Sequence, residues 1–385
     1  MGVPSLFRSV ISKYPTCCSS KNEDTVEHLY LDFNCLIHHC NNKLVITESM
    51  SSRDIEEELI ISVISYTSHI ITQIIKPTKL VFIAFDGPIN MGKINQQRNR
   101  RYKKVQDDAF IKKLNEKYNK AELPKFNSNK ITPGTVFMTK LCNRLKNLIS
   151  LNAFSTHITN PSKKFTVFMS DSNTPGEGEH KIVNFIKNNN NSPNIIIYGL
   201  DADLIILSMC CHDKNIKLLR EPQHSVVEIA QCNPGSEFLY LDINSFTSSF
   251  IKEYNLTAYE KDNILNDIIL VSFFGGNDFV ESFVNSKMRD NNNFIKLMSI
   301  YTTILFETQK HFVVNHKINV DFFIEFIKSL SLTEDSFVKK KSLRQFTSSH
   351  NENVDDFENE LQLYQHSLYI NEKNPFHEYY SNQFQ

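Results

Sequence analysis

No two cysteines in this chain are spaced Cys-x-x-Cys, although there are eight, at positions 17, 18, 35, 40, 142, 210, 211 and 232. Four of them form adjacent doublets, which make a poor zinc site or disulfide framework. Reduced thiols inside a cell are therefore expected, most of them serving as small core hydrophobes. Net charge is lacking too. A balance of −1 over 385 residues excludes a globally basic binder and confines any polyanion site to a local patch. The opening MGVPSLFR shows no signal-peptide pattern, and Leu6 breaks the myristoylation pattern. No internal repeat stands out. The most apolar long stretch, 59–75, is broken by Ser, Thr, His and Gln. Its Ile60, Ile61, Ile64, Ile71, Ile74 and Ile75 fit one face of a core helix rather than a membrane span. A soluble protein without a membrane partner is expected, in the cytoplasm, with the nucleus as the open alternative.

What the chain has is carboxylates at the ends of apolar runs. Ile195–Tyr198 reads as a buried strand that stops at Gly199, and Asp201 and Asp203 follow at once. Burying an unpaired carboxylate costs several kcal/mol, so a bound cation or a hydrogen-bonded loop pair is required. The pattern recurs at Asp32 after LYL, at Asp86 after LVFIAF, and at Glu177 and Glu179 after TVFM; Asp278 closes a further apolar segment. In open α/β sheets, ligand groups gather beyond the carboxyl ends of the strands. One shared acidic cluster follows. Oxygen-rich sites suit Mg²⁺ or Mn²⁺. So many acids exceed what one Mg²⁺ needs, which points to two metals roughly 4 Å apart and in-line phosphoryl chemistry.

Alternation of strand and helix along the first 200 residues predicts a mainly parallel central sheet flanked by helices. Strands are expected near 29–33, 80–85, 166–169 and 195–199, and helices near 54–75, 93–118, 135–149 and 178–187. Past residue 285 the acidic pattern stops. Residues 293–332 read as helices, and a polar tail follows Lys339-Lys340-Lys341 with an acidic run at 352–360. The expected division is an α/β core over 1–285 and a mostly helical extension over 286–385.

Gly92–Lys104 carries six basic residues and no acid, and Lys93, Gln97, Arg100 and Arg101 fall on one helix face. Arg forks with a Lys and an amide suit a terminal phosphate. A solvated helix face and a nuclear-import patch are the plain alternatives; the position just after Asp86 favours a polyanion pocket. His38 allows three readings: a packed or surface residue, a metal ligand, or a ring that stacks on a base. Glu179-His180-Lys181 offers a further cation beside the carboxylates, or a helix-start ion pair.

Taken in order, MGVPSLFR, LYLDFNCLIH, FDG, KINQQRNRRYK, ITPGTVFM, SDSNTPGEGEHKI, YGLDADLIIL, LLREP and GGNDF resemble the Xrn-type 5′→3′ exoribonucleases over about residues 1–280. The resemblance implies a PIN/FEN-like α/β core that degrades single-stranded RNA carrying a 5′ monophosphate, one nucleotide at a time. By the same resemblance Asp32, Asp86, Glu177, Glu179, Asp201, Asp203 and Asp278 hold two Mg²⁺ ions, with Mn²⁺ as the alternative ion. Lys93, Gln97, Arg100 and Arg101 bind the 5′ phosphate in a pocket too small for a cap, and His38 stacks on the first base.

Two departures stand out. There is no tryptophan, whereas the family places one opposite that histidine, so a Tyr or Phe from 286–385 must replace it or the sandwich is lost. Val280-Glu281-Ser282 stand where the family has a proline. Little of the family's second region is recognisable by eye. The alternatives to an exoribonuclease are a structure-specific DNA nuclease on the same core and a non-catalytic binder of uncapped 5′ ends.

Overall fold

The computed structural model describes residues 6–120, 124–155, 165–189, 194–222, 236–276 and 291–332. The chain divides into two compact units: residues 1–94 with 123–269, and residues 95–122 with 270–385. The expected boundary near 285 falls outside the described residues.

The first unit is built on a seven-stranded sheet. Its strands are β1 (Cys18–Ser19), β2 (His28–Asp32), β3 (Leu80–Ala84), β4 (Thr166–Ser170), β5 (Asn194–Tyr198), β6 (Asn215–Arg220) and β7 (Leu239–Asp242), in the order β1-β7-β6-β5-β2-β3-β4. The five strands from β6 to β4 are all parallel, and β7 and β1 are added antiparallel at one edge. The α/β class with a mainly parallel sheet is as the alternation implied. After β2 the chain builds outward to β3 and β4, then returns to place β5 on the other flank of β2. The connections leaving β2 and β5 therefore diverge, which is where an open α/β sheet forms its crevice.

Local sequence explains these elements. LVFIA in β3 is buried along its whole length, as a central parallel strand covered on both faces requires. TVFMS in β4 is an edge strand, and Phe168 is left 48% exposed. Helix α1 spans Leu6–Lys13, α2 Phe33–Lys43 and α3 Ser52–His69. A capping box of Ser51 and Asp54 starts α3. The helix then widens over Ile70–Ile75, where the amide of Lys76 reaches back to Ile71 O at 3.0 Å. The segment from Ser52 to Ile75 is long and apolar enough to cross a membrane by length and composition. It instead sends Ile55, Leu59, Ile60, Val63, Ile70, Ile71 and Ile75 into the unit's core. Ile61, expected on that face, is 54% exposed, because one residue from Ile60 is 100° around the helix.

Helix α4 (Met91–Lys117) starts in the first unit and continues from Asn95 in the second; α5 spans Val136–Ser150, α6 Gly178–Asn188 and α7 Asp203–Met209. Helices α8 (Ile243–Glu253) and α9 (Lys261–Phe273) follow. Strands β1, β6 and β7 and helices α1, α2, α7, α8 and α9 escaped the sequence reading. β6 carries Lys217 and Arg220 among its apolar residues, and α2 is an eleven-residue helix interleaved with His and Asn.

In the second unit, α10 (Asn291–Thr308) and α11 (Val320–Ser331) pack about Tyr301, Phe312, Phe322 and Phe326. The helical reading of 293–332 needs one correction. A hairpin of Val313–Val314 and Lys317–Ile318 interrupts it, with Asn315 and His316 both at positive φ. That left-handed pair is what a two-residue hairpin turn demands.

Candidate active site

Residues that begin helices usually turn their side-chain oxygens back to cap backbone amides, and Ser51, Thr135, Asp242 and Asn319 do so here. Asp32 before α2 and Glu177 before α6 occupy the same position and make no such bond. Asp32 accepts from Cys35 Sγ instead, and Glu177 pairs with Lys93. Asp32 ends β2, Asp86 lies two residues beyond β3, Glu177 and Glu179 start α6, and Asp201 and Asp203 link β5 to α7. All six lie in the first unit at the carboxyl ends of the parallel strands. Asp278 lies outside the described residues.

The cluster is held from below by neutral donors and close backbone. Asn34 on α2 donates Nδ2 to Asp86 Oδ2 at 2.9 Å and accepts the Asp86 amide at 3.3 Å. The Gly178 amide donates to Asp86 Oδ1 at 2.7 Å. Cys35 Sγ donates to Asp32 Oδ2 at 2.9 Å. A Cβ on Gly178 would stand 2.8 Å from Asp32 Oδ1 and 2.9 Å from Ala84 O, and one on Gly87 would strike Thr174 O at 1.7 Å. Glycine at both sites lets the TPGEGE turn lie against the strand ends.

The electrostatics follow from crowding. Burial, then Asp86, Asp201 and Glu177, push the Asp32 carboxyl well above the usual carboxylate range. Asp86 is raised by burial and by Glu177 and Asp201, with the Gly178 amide and Lys93 working against the rise. Glu179 is raised well above the range by burial and by Asp32, Asp203, Asp201 and Glu177. Only 7% of Glu179 is exposed, and its Oε2 has no hydrogen-bond partner. Like charges packed at this density, with a buried oxygen left over, fit a bound divalent cation and oppose a merely structural loop. The donor set is almost all oxygen, as Mg²⁺ or Mn²⁺ requires.

Nearby basic groups are placed unequally. Lys93 Nζ is buried against Glu177 Oε2. Lys181 turns to backbone instead, donating to Phe85 O at 2.7 Å and Asp171 O at 3.2 Å, so it staples the ends of β3 and β4. His180 Nε2 lies 4.0 Å from Glu179 Oε1. Gln97, Arg100 and Arg101 lie on the part of α4 that belongs to the second unit; there Arg101 Nη2 donates to Gln97 Oε1 at 3.2 Å. His38, on α2, has an exposed edge. The surrounding protein lowers its pKa, against Asp86 and Asp201, so the ring is neutral at neutral pH.

Several supporting residues were not singled out in the sequence. Glu221 accepts Tyr66 OH at 2.5 Å and Tyr198 OH at 2.7 Å, and His39 Nδ1 lies 3.4 Å away, which joins α3, β5, α2 and the end of β6. The LLREP motif contained this glutamate without indicating its partners. Asn34 and Cys35 sat unremarked inside LYLDFNCLIH; only their i+2 and i+3 spacing from Asp32 at a strand-to-helix junction pointed to them.

Residues 1–222 match the family model described as the XRN 5′-3′ exonuclease N-terminus, and 258–380 match that of the Xrn1 helical domain. The second match carries the resemblance past residue 280 into the helical extension. The 5′-3′ exoribonuclease 1 of Schizosaccharomyces pombe is 33% identical over 79% of this chain and 24% of its own length. That of Saccharomyces cerevisiae is 32% identical over 83% and 22%. The 5′-3′ exoribonuclease 2 of Debaryomyces hansenii is 28% identical over 89% and 39%. The chain thus spans about a quarter of the length of the first two. Among solved structures, the catalytic core of Rad2 in complex with a DNA substrate aligns with 87% of this chain and 79% of that one, at 11% identity and a TM-score of 0.39. A likeness that remote carries no argument here. The N-terminal model alone accounts for more than half of the residues, and the chain belongs to the Xrn family of 5′-3′ exonucleases.

Proposed function

We propose that this chain is a metal-dependent 5′→3′ exoribonuclease that hydrolyses uncapped, single-stranded RNA from a 5′ monophosphate and releases mononucleotides. The observation that carries the reading is the convergence of six carboxylates at the sheet's carboxyl edge, with one buried oxygen unpartnered. Asp32, Asp86, Glu177, Glu179, Asp201, Asp203 and Asp278 are assigned to hold two Mg²⁺ ions, or Mn²⁺ in their place. Bound there, the ions supply an activated water and neutralise charge on the leaving oxygen.

The protein's own groups select and position the substrate. Lys93, Gln97, Arg100 and Arg101, on successive turns of α4, are assigned to the oxygens of the 5′ phosphate, for which Arg forks and an ammonium are suited. His38 offers a neutral ring face to the first base. In the absence of tryptophan, a Tyr or Phe from 286–385 must take the opposite face, or the sandwich is lost. Residues 1–285 are assigned the chemistry, and 286–385 a supporting role. Free thiols favour a reducing compartment, and the cytoplasm is proposed.

The test uses one RNA prepared with a 5′ monophosphate, hydroxyl, triphosphate or cap, incubated with Mg²⁺, with EDTA and Asp203→Ala as controls. Mononucleotides from the monophosphate form alone are expected. Equal attack on every end, or internal cuts, overturns the end-specific reading. Tight binding without products replaces catalysis with protection of uncapped ends, and preference for a DNA flap moves the activity to structure-specific cleavage.

A further inference from the structure

We propose that Asp32, Cys35 and Asp201 form a mixed sulfur–oxygen site within the acidic cluster, which takes one thiophilic divalent cation of the Zn²⁺ class in competition with Mg²⁺. The inference rests on the reading of the cluster as a cation site and adds to it the identity of the ion.

Three donor atoms, one from each residue, lie within 4.8 Å of one another. Donors sharing one Zn²⁺ sit about 2.0–2.3 Å from it, hence within roughly 4.6 Å of each other. Small side-chain rotations close the triad. Cys35 reaches it because α2 begins at once after β2, so residue 35 is one turn from Asp32 and its Sγ already contacts Asp32 Oδ2 at 2.9 Å. A second observation points to a cation in the same acidic cluster. The Oε2 of Glu179 is buried without a hydrogen-bond partner, and after burial the strongest influences on Glu179 are the charges of Asp32, Asp203 and Asp201. Glu179 lies outside the triad itself, so water fills the fourth position of a tetrahedral ion.

Sulfur changes the choice of metal. Mg²⁺ takes oxygen ligands and gains little from a thiol, whereas Zn²⁺, Cd²⁺ and Co²⁺ bind thiolate strongly. On binding, the Sγ–H proton passes to solvent and sulfur donates its electron pair to the ion, so at least one proton is released per cation, with any proton held on Asp32 leaving as well. Asp32 and Asp201 are assigned to Mg²⁺ as well, so a cation held through Cys35 competes with Mg²⁺ for both carboxylates. Zn²⁺ is then an inhibitor of the Mg²⁺-dependent reaction.

The experiment titrates the full chain with Cd²⁺ and with Co²⁺, and follows the sulfur-to-metal charge-transfer absorption. Mn²⁺ binding is measured in parallel by water-proton relaxation. Cys35→Ser, Cys35→Ala, Asp201→Asn and, as a control on the other thiols, Cys210→Ser are compared. A band of one cation per chain that is lost in both Cys35 variants, weakened at least tenfold in Asp201→Asn, displaced by excess Mn²⁺ and retained in Cys210→Ser is the expected result. A band that survives Cys35→Ser, or that Mn²⁺ does not displace, overturns the proposal. If Mn²⁺ binds and no Cys35-dependent band forms, the sulfur site fails while the carboxylate reading stands. If neither ion binds, both fall.

Discussion

The backbone amide of Gly178 donates to Asp86 Oδ1 at 2.7 Å, so the turn that delivers Glu177 and Glu179 is locked to the strand end that delivers Asp86. Nothing larger than glycine fits. A methyl group there meets Asp32 Oδ1 at 2.8 Å and Ala84 O at 2.9 Å, and Ala84 O is backbone that cannot step aside. Gly178→Ala is expected to cost about 1–3 kcal/mol in denaturant unfolding and to abolish Mn²⁺ binding. A variant with wild-type ion affinity would show that the turn and strand move independently.

Crowded carboxylates also set how the metal-free protein responds to pH. Asp32, Asp86 and Glu179 have native pKa values raised above their unfolded ones. Their protonated forms favour the fold, so this contribution is complete below the ordinary carboxylate range and is lost as pH rises through the raised native values. In EDTA, Glu179→Gln is therefore expected to gain stability over wild type, by about 1–2 kcal/mol, with the gap widening from pH 5 to pH 8. Mg²⁺ reverses the order, since the wild type alone then has its full set of ligands. Melting temperatures of both proteins, with and without Mg²⁺ at each pH, check the sign. A gap that narrows as pH rises would refute it.

Lys93 and Glu177 form the most buried ion pair among the described ones, with side chains 7% and 10% exposed. Removing one partner of such a pair strands the other charge, at about 3–5 kcal/mol. Lys93→Met should lose that much in EDTA and recover part of it with Mg²⁺, because Glu177 then faces a cation again. Unfolding curves in the two conditions decide, and an equal loss in both would leave Glu177 outside the metal site.

The fold was legible where apolar runs were unbroken. LVFIA and NIIIY could hardly be anything but buried strands, and each ended in glycine and acid. Legibility failed where local pattern and tertiary role part. Ile61 looks like its neighbours in sequence but faces solvent. Asn315-His316 makes a tight turn without the usual glycine. The acids could be gathered from sequence because parallel strands share one carboxyl edge. The partners that hold them could not, since the Asn34–Asp86 and Tyr66–Glu221 bonds span 52 and 155 residues and leave no trace in spacing.

His38 is the residue whose assignment depends most on its protonation state. A base stacks on a ring face, and a neutral imidazole or a phenyl ring serves equally, whereas a cationic ring adds attraction to phosphate. Burial lowers the pKa of His38 from its ordinary value against the pull of Asp86 and Asp201, which favours the neutral ring at neutral pH. The affinity of Asp203→Ala, which is expected to be inactive, for RNA with a 5′ monophosphate should then carry little contribution from His38 titration between pH 7 and 8. In that background His38→Ala is expected to weaken binding by about 1–3 kcal/mol, and His38→Phe to restore most of it. Fluorescence anisotropy across the pH range separates the outcomes. If Phe fails where His succeeds, the side chain acts through its nitrogens, as a metal ligand or a hydrogen-bond donor, and the stacking role is wrong.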